Sequence, residues 1–363
     1  MTSSKHGVVS NSSKKLPVGR NMKVGILSGG GDAPGINAVI RAVVRKGIQN
    51  YNYEIIGVRD GWAGLLNAKY LPLDLKAASG LLPRGGSILG TSRTNPFKTE
   101  TGPERIIKNA KETAIEAVIV IGGDDTLSVA DKMGKYGLKC VGVPKTIDND
   151  LAGTDYTFGF NTAVSIATEA LDRLHTTAET HHRVIILEVM GRYTGWIALE
   201  AGIAGGADII LIPEKPFDID DICALIRRRQ ERGRNFSIIV VAEGAKPEGG
   251  VEIVYSESLD DFGHIRLGGV GYYLGKEIER CLKIETRVVV LGHLQRGGTP
   301  TAFDRVLATR FGIAAIDRVH EKTFGRMVAI KGNRITSVSF KEVAGKRKTV
   351  NLELYDIASV FFG

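Results

Sequence analysis

The chain has 363 residues, 43% of them hydrophobic, and a formal net charge of +8. That length exceeds one ordinary domain and suits two, with enough apolar content for real cores. No apolar run approaches the roughly 20 residues of a membrane-spanning helix, and the excess charge is not distributed as a nucleic-acid footprint. Lys5, Lys14, Lys15 and Arg20 stand in an opening stretch that holds no acid, and the segment from Lys331 onward carries much of the remaining excess. The body between is therefore close to neutral. Residues 1–21, rich in Ser and Lys and lacking an apolar leader core, are expected to be a disordered basic extension. A transit peptide is the alternative for this acid-free stretch; Arg20, its only arginine, argues against it. Cys140, Cys223 and Cys281 are few, far apart and without metal-ligand spacing, which predicts reduced thiols in a cytoplasmic protein.

Met22 to Leu27 reads as a first strand, followed by the turn Ser28–Gly35 and a helix from Ile36 to about Gln49, with Pro34 in its first turn. Strand, glycine turn and helix make a phosphate cradle, because free amides and the helix dipole face the anion. The run matches neither a Walker A nor GxGxxG, so a plain tight turn is the alternative. Glu54 to Val58 is a second strand, and Asp60-Gly61-Trp62 a turn with an aromatic plug. Residues 80–102 form a long loop carrying Arg84 and Arg93. A helix from Pro103 to Ala114 leads into the β-branched strand Ala117–Ile121. That strand stops at Gly122-Gly123, ahead of Asp124, Asp125 and Thr126 at the start of a helix. A further strand from Cys140 ends in Pro144-Lys145-Thr146-Ile147-Asp148-Asn149-Asp150.

From Asn161 a long helix carries an apolar stripe at core spacing, and His175, His181 and His182 near its end read as solvated or capping residues. Strands are expected over Arg183–Val189, Asp208–Ile212, Phe236–Ala242 and Arg287–Leu291, and helices over Trp196–Ile203, Asp218–Arg232, Leu267–Cys281 and Thr301–His320. Strands alternating with helices throughout predict an α/β architecture: two doubly wound lobes with mainly parallel sheets. The lobes divide softly as 22–155 and 156–330, with the chain free to cross back, and 331–363 follows as a C-terminal extension.

Ligands of open α/β sheets lie beyond the carboxyl ends of the strands. Those ends carry Gly31, Asp124, Lys145 with Asp148, Met190-Gly191-Arg192, Glu243, and His293 with Arg296. Any one of these is equally well a helix cap or a surface ion. Six strand ends carrying them together point to a phosphoryl-transfer crevice. Arg93, Arg183, Arg192, Arg287 and Arg296 supply guanidiniums suited to bidentate phosphate recognition.

Nine segments in order, among them GGGDAPGIN (29–37), GGDDT (122–126), PKTIDND (144–150), EVMGR (188–192) and GHLQRGG (292–298), closely resemble 6-phosphofructokinases. The resemblance runs from about Lys23 to about Ile330. It implies an active site between the lobes, with the first lobe binding the phosphoryl donor and Mg²⁺ and the second the sugar phosphate. Asp148 is then the general base on the 1-hydroxyl of fructose 6-phosphate, a role within a carboxylate's reach at a strand end. Thr146 and Ile147 line the same sugar, and Asp124 holds Mg²⁺. Arg93 and Arg192 stabilise the phosphoryl group in flight. Met190, Gly191, Glu243, His293, Leu294, Gln295 and Arg296 bind the sugar phosphate. Arg183 and Arg287 reach the sugar phosphate of a neighbouring subunit, which implies a homodimer or homotetramer. Gly31 and Thr126 lie against the donor.

ATP-using relatives typically have Gly after the metal aspartate, where this chain has Asp125. A carboxylate there meets the α-phosphate of ATP. Two like charges about 4 Å apart cost roughly 4 kcal/mol at an effective dielectric of ~20, about a thousandfold in binding. Diphosphate has no α-phosphate to meet it, and Lys145 offers a point charge to the leaving phosphate. The pair resembles the diphosphate-dependent branch and implies a reversible reaction serving glycolysis or gluconeogenesis. An ATP-dependent or dual-donor enzyme is the alternative. Arg41 and Arg45 match part of the nucleotide-activator site of bacterial relatives, but DRLH (172–175) has His175 where they carry Arg, so weak or no nucleotide allostery is expected. The segment from Gly332 has no part in this chemistry and is expected to pack on the body or on a neighbour.

Overall fold

The structure, a computed structural model, describes residues 21–250, 254–256, 262 and 266–362, so the expected disordered tail lies almost wholly outside the described residues. The chain opens with β1 (Lys23–Ser28), α1 (Ile36–Tyr51), β2 (Glu54–Val58), α2 (Trp62–Leu66) and β3 (Tyr70–Leu73). It continues through α3 (Gly102–Glu112), β4 (Ile115–Gly122), α4 (Asp124–Gly134), β5 (Cys140–Thr146) and β6 (Phe158–Gly159). The second half holds α5 (Phe160–His181), β7 (Val184–Val189), α6 (Trp196–Ala204), β8 (Ile209–Leu211), α7 (Ile219–Glu231) and β9 (Ser237–Ala242). Then come β10 (Val254–Ser256), β11 (Arg266–Leu267), α8 (Val270–Leu282), β12 (Thr286–Val290) and α9 (Ala302–His320). The chain closes with β13 (Arg326–Lys331), β14 (Arg334–Ser339), α10 (Phe340–Val343) and α11 (Leu352–Ser359).

Two larger sheets result. One runs β14-β13-β5-β4-β1-β2-β3, with β6 pairing the end of β5; the other runs β12-β7-β9-β8. Pairing is parallel throughout the second sheet and through the middle of the first, whose antiparallel pairs, β2 with β3 and β13 with β14, lie at its edges. The β-branched runs are buried on both sides because strand side chains alternate between faces. In β4, Ala117, Ile119 and Ile121 join one core cluster with α1 and α9, while Val118 and Val120 join another with α2, α3 and α4. Strand β7 divides the same way, Ile185 and Leu187 on one face, Val184 and Ile186 on the other. Helices on both faces of mainly parallel sheets are the expected doubly wound arrangement.

The late chain takes the crossing back that the soft division left open. Helix α9 packs on α1, and β13 pairs in parallel with β5, so residues from about 302 to 340 return to the first sheet although the soft division put them, up to 330, in the second lobe. Length and periodicity carry no information about which sheet a late strand joins. Asp304, wholly buried near the start of α9, ties that helix to α5 of the second lobe. Its Oδ2 accepts from the Thr162 amide at 2.8 Å and hydroxyl at 2.5 Å, closing the first turn of α5. Smaller corrections have local causes. Pro34 precedes the helix it was expected to open, since Gly35 takes the cap at φ 112°. Helix α8 begins at Val270, not Leu267, because Gly268 and Gly269 lie at φ 139° and 89° and Leu267 pairs in β11. Trp62 opens the short α2, and its Nε1 donates to the Thr126 carbonyl at 3.3 Å. His175 is tied to the Gly205 carbonyl at 2.7 Å, and His182 caps α5.

Asp304→Ala strips the α5 amide and a buried hydroxyl of their acceptor. A loss of about 2–4 kcal/mol is expected, combining a hydrogen bond to a charged group with the desolvation left behind. It is read as a lowered midpoint in chemical unfolding, with Asp304→Asn retaining more stability than the alanine variant.

Candidate active site

Strand ends of both sheets open onto one crevice. The first sheet contributes Gly30 and Gly31 after β1, Gly123, Asp124, Asp125 and Thr126 after β4, and Lys145, Thr146, Asp148 and Asp150 from β5 onward. The second contributes Arg192 and Tyr193 after β7, Glu243 after β9 and Arg296 after β12. Arg93 reaches in from the long loop, and Phe262 and Arg347 complete the wall. Placement follows from parallel pairing: register aligns the strands, so their carboxyl ends share one edge.

Lys145 is 3% exposed. Its Nζ donates to the Gly29 carbonyl at 2.9 Å and also to the Gly31 carbonyl, pinning the glycine loop to the end of β5. Burial, with Arg296 adding to it, brings its pKa down to about 7. A Cβ at Gly31 would sit 2.5 Å from Nη1 of Arg296, which donates to the Asp32 carbonyl at 3.2 Å, so a larger residue there would displace the guanidinium.

Asp148 lies at the centre. Its Oδ1 is buried and without a hydrogen-bond partner among the described residues, an orphan acceptor aimed where a ligand donor would complete it. Burial pushes its carboxyl up, while Arg296, Arg192 and Lys145 pull it down. The turn that presents it is held by Thr146 Oγ1, which accepts from the Asp148 amide at 3.1 Å, and by Thr194 Oγ1, which donates to the Asp148 carbonyl at 3.3 Å. Asn149 takes a left-handed conformation at φ 52°, and its Oδ1 accepts from the Thr157 amide at 3.1 Å. Glu243 and Asp150 are each pushed up to about 7, by burial first and the charge of Asp148 second.

Asp124 stands in the first turn of α4, where its Oδ1 accepts from the Gly345 amide at 3.3 Å. Among the described residues no group of three or more His, Cys, Asp or Glu forms a cage for a metal. A single carboxylate in a crevice lined by arginines and a lysine nevertheless fits Mg²⁺ carried in with a phosphate ligand, since that ion takes one or two carboxylates plus phosphate oxygens and water.

Of the residues singled out in the sequence, Gly31, Arg93, Asp124, Asp125, Thr126, Lys145, Thr146, Asp148, Arg192, Glu243 and Arg296 line this crevice. The others do not. Ile147 is wholly buried, its side chain turned into the second-lobe core. Gln295 is also wholly buried and structural: Oε1 accepts from the Met190 amide at 3.2 Å and Nε2 donates to the Gly292 carbonyl at 3.0 Å. Met190 packs against the same core, and Gly191 serves the turn, with φ 143° and a carbonyl that accepts from the Gly244 amide at 3.1 Å. His293 is exposed and Leu294 is 68% exposed. Arg183 and Arg287 both pair with Glu285 away from the crevice. Sequence reasoning missed Tyr193 and Arg347 as wall residues. The basic run at 346–348 was the one available signal for Arg347, and nothing in a linear sequence ties it to Asp150.

The phosphofructokinase family pattern matches residues 23–319. The chain is 58% identical over 343 residues to a pyrophosphate–fructose 6-phosphate 1-phosphotransferase of Streptomyces coelicolor, covering 94% of this chain and 100% of that protein. It is also 53% identical to ATP-dependent 6-phosphofructokinase 3 of the same organism, covering 91% and 96% respectively. Among solved structures it superposes on phosphofructokinase from Saccharomyces cerevisiae with a TM-score of 0.81 at 31% identity, covering 93% of this chain and 50% of that one, so it spans about half the yeast chain. The chain belongs to the phosphofructokinase family and is a phosphotransferase. No helix among the described residues is long and apolar enough to cross a membrane.

The shifted groups set a pH signature for the ligand-free protein. Asp150 and Glu243 bind protons up to about pH 7 when folded but only to their ordinary carboxyl range when unfolded, so stability falls as pH rises from about 4 to 7. Lys145 loses its proton at about 7 when folded and near 10.5 when unfolded, so stability rises again above pH 7. A Tm minimum near neutrality is expected. The Asp150→Asn, Glu243→Gln double variant should flatten the acid-side fall; an unchanged slope would mean those carboxyls titrate normally.

Proposed function

We propose that this protein transfers a phosphoryl group reversibly between diphosphate and fructose 6-phosphate, giving fructose 1,6-bisphosphate and phosphate. The observation that carries the reading is the union in one crevice of Asp148, with its orphan buried oxygen, and the Asp125–Lys145 pair. Asp148 takes the proton of the sugar 1-hydroxyl, and the freed oxygen attacks the terminal phosphorus of the donor. Arg296 and Arg192 favour the ionised form of Asp148, opposing the rise that burial imposes on its carboxyl. Arg93 and Arg192 balance charge on the phosphoryl group as it moves, and Lys145 holds the glycine loop and Gly31 against the donor. Mg²⁺ held by Asp124 would neutralise the donor phosphates. Thr126 is packed against Gly29 and Gly122, either of which a Cβ would drive into it, so it supports the donor loop from beneath. Glu243, and the exposed His293 beside Arg296, would bind the sugar phosphate from the second lobe.

The donor rests on Asp125, in the first turn of α4, where its charge and bulk oppose an α-phosphate. Relatives bearing both donors' names stand close to this chain, so a few residues in the crevice must decide between them. Arg183 and Arg287, clustered on Glu285 outside the crevice, are free in position to serve a neighbouring subunit of a homodimer or homotetramer. Cytoplasmic residence accords with three free thiols.

The deciding assay supplies fructose 6-phosphate and Mg²⁺ with either diphosphate or ATP. Turnover with diphosphate and little with ATP is expected; the reverse would reject this donor. Asp125→Gly should raise kcat/KM for ATP by on the order of a hundredfold or more, since the repulsion removed is several kcal/mol. Asp148→Ala should lower kcat by about 10²–10⁴-fold with the KM for fructose 6-phosphate little changed. Near-normal turnover would remove Asp148 as the base.

A further inference from the structure

Residues 345–351 form a strap across the mouth of the crevice that nothing in the proposed chemistry uses. It is anchored on the first lobe, where the Gly345 amide donates to Asp124 Oδ1 at 3.3 Å and the Lys348 amide to the Asp150 carbonyl at 2.8 Å. Arg347 forms an antiparallel bridge with Leu151. Lys348 fixes the strap from beneath: its Nζ donates to Asn149 Oδ1 at 2.9 Å, the Asp155 carbonyl at 2.6 Å and the Thr154 carbonyl at 3.3 Å. Anchors on the second lobe follow at once. Trp196 Nε1 donates to the Lys348 carbonyl at 3.0 Å, and the Val350 amide to Glu214 Oε1 at 3.0 Å. Glu214 in turn accepts from the Gly195 amide at 3.0 Å.

Pinned on both sides, the strap turns one side chain into the crevice wall, Arg347. Its guanidinium lies 3.6 Å from the centre of the Tyr193 ring, against which Arg192 also rests at 5.8 Å. Stacking fixes the plane of the fork while leaving its N–H edges unused, and among the described residues they make no hydrogen bond or ion pair. A planar fork held in this way is suited to a phosphate. Location selects which one. Arg347 is two residues from the strap's bond to Asp124, hence within about 7 Å of it along the chain. Its charge also reaches Asp150, whose carboxyl it pulls down against burial.

We infer that Arg347 is a donor-binding residue that grips the phosphate end of diphosphate beside Asp124, delivered by a C-terminal strap that spans both lobes. The inference rests on the donor reading above. Its test separates the two. Wild type, Arg347→Gln and Arg347→Lys are compared for KM against each substrate, for kcat, and for equilibrium binding of Mg²⁺–imidodiphosphate by calorimetry, with Tm as the control for folding. Arg347→Gln is expected to raise the KM for diphosphate and weaken imidodiphosphate binding about 10- to 100-fold, the scale of a lost charged hydrogen bond. The KM for fructose 6-phosphate should stay within about twofold, and Arg347→Lys should fall between because it keeps charge without the fork. Unchanged donor affinity in Arg347→Gln, or an equal rise for both substrates with a lowered Tm, would overturn the inference and leave the strap structural. A wild type inactive with diphosphate would instead overturn the donor reading itself.

Discussion

The crevice depends on one buried cation. Lys145 is almost wholly enclosed, and its ammonium bonds to the carbonyls of Gly29 and Gly31. That contact couples the end of β5, which presents Asp148, to the loop after β1, against which the Arg296 guanidinium lies. An ammonium without those carbonyls would be expensive to bury. With them it becomes a fixed point from which the spacing of Asp148, the glycine loop and Arg296 follows. Because Lys145 already bonds two backbone oxygens, its part in the site is first to shape the cradle and then to lend charge to it.

Around that point, charges of both signs are packed too closely for either sign to stand alone. The charge of Asp148 raises the proton affinity of Asp150 and Glu243, while Arg296 and Arg192 oppose the rise at Asp148 and Glu243 and Arg347 opposes it at Asp150. Such a site suits a ligand that is itself charged on both counts, as the proposed phosphate with a divalent cation would be. Perturbed polar clusters of this kind concentrate where function resides.

Much of this was legible beforehand. Alternating β-branched strands and amphipathic helices announce a parallel α/β fold, and the acid-and-arginine decoration of strand ends announces where a ligand sits, because those ends must share an edge. What could not be read was how the late chain returns. Helix α9 and strands β13 and β14 carry ordinary apolar patterns, and only the fit of α9 on α1 and the pairing of β13 with β5 assign them to the first sheet. The strap is the extreme case. Its basic run resembles a solvated tail, yet Lys348 is spent on three oxygens of residues 149–155, and Arg347 is held against Tyr193.

Sequence alone therefore determined the class of fold and pointed to the strand ends at which Asp124, Asp125, Lys145, Asp148 and Arg192 come to line one crevice, since each stands at or just after the end of a strand and strand direction settles which edge it occupies. Tertiary structure decided which strand-end residues face the crevice and which, like Gln295 and Ile147, turn inward to hold loops and core. It also brought Arg347 to the site from nearly two hundred positions beyond Asp150. The physical reason is that local pattern encodes burial and direction, whereas a contact between distant segments depends on complementary surfaces that exist only once both lobes have folded.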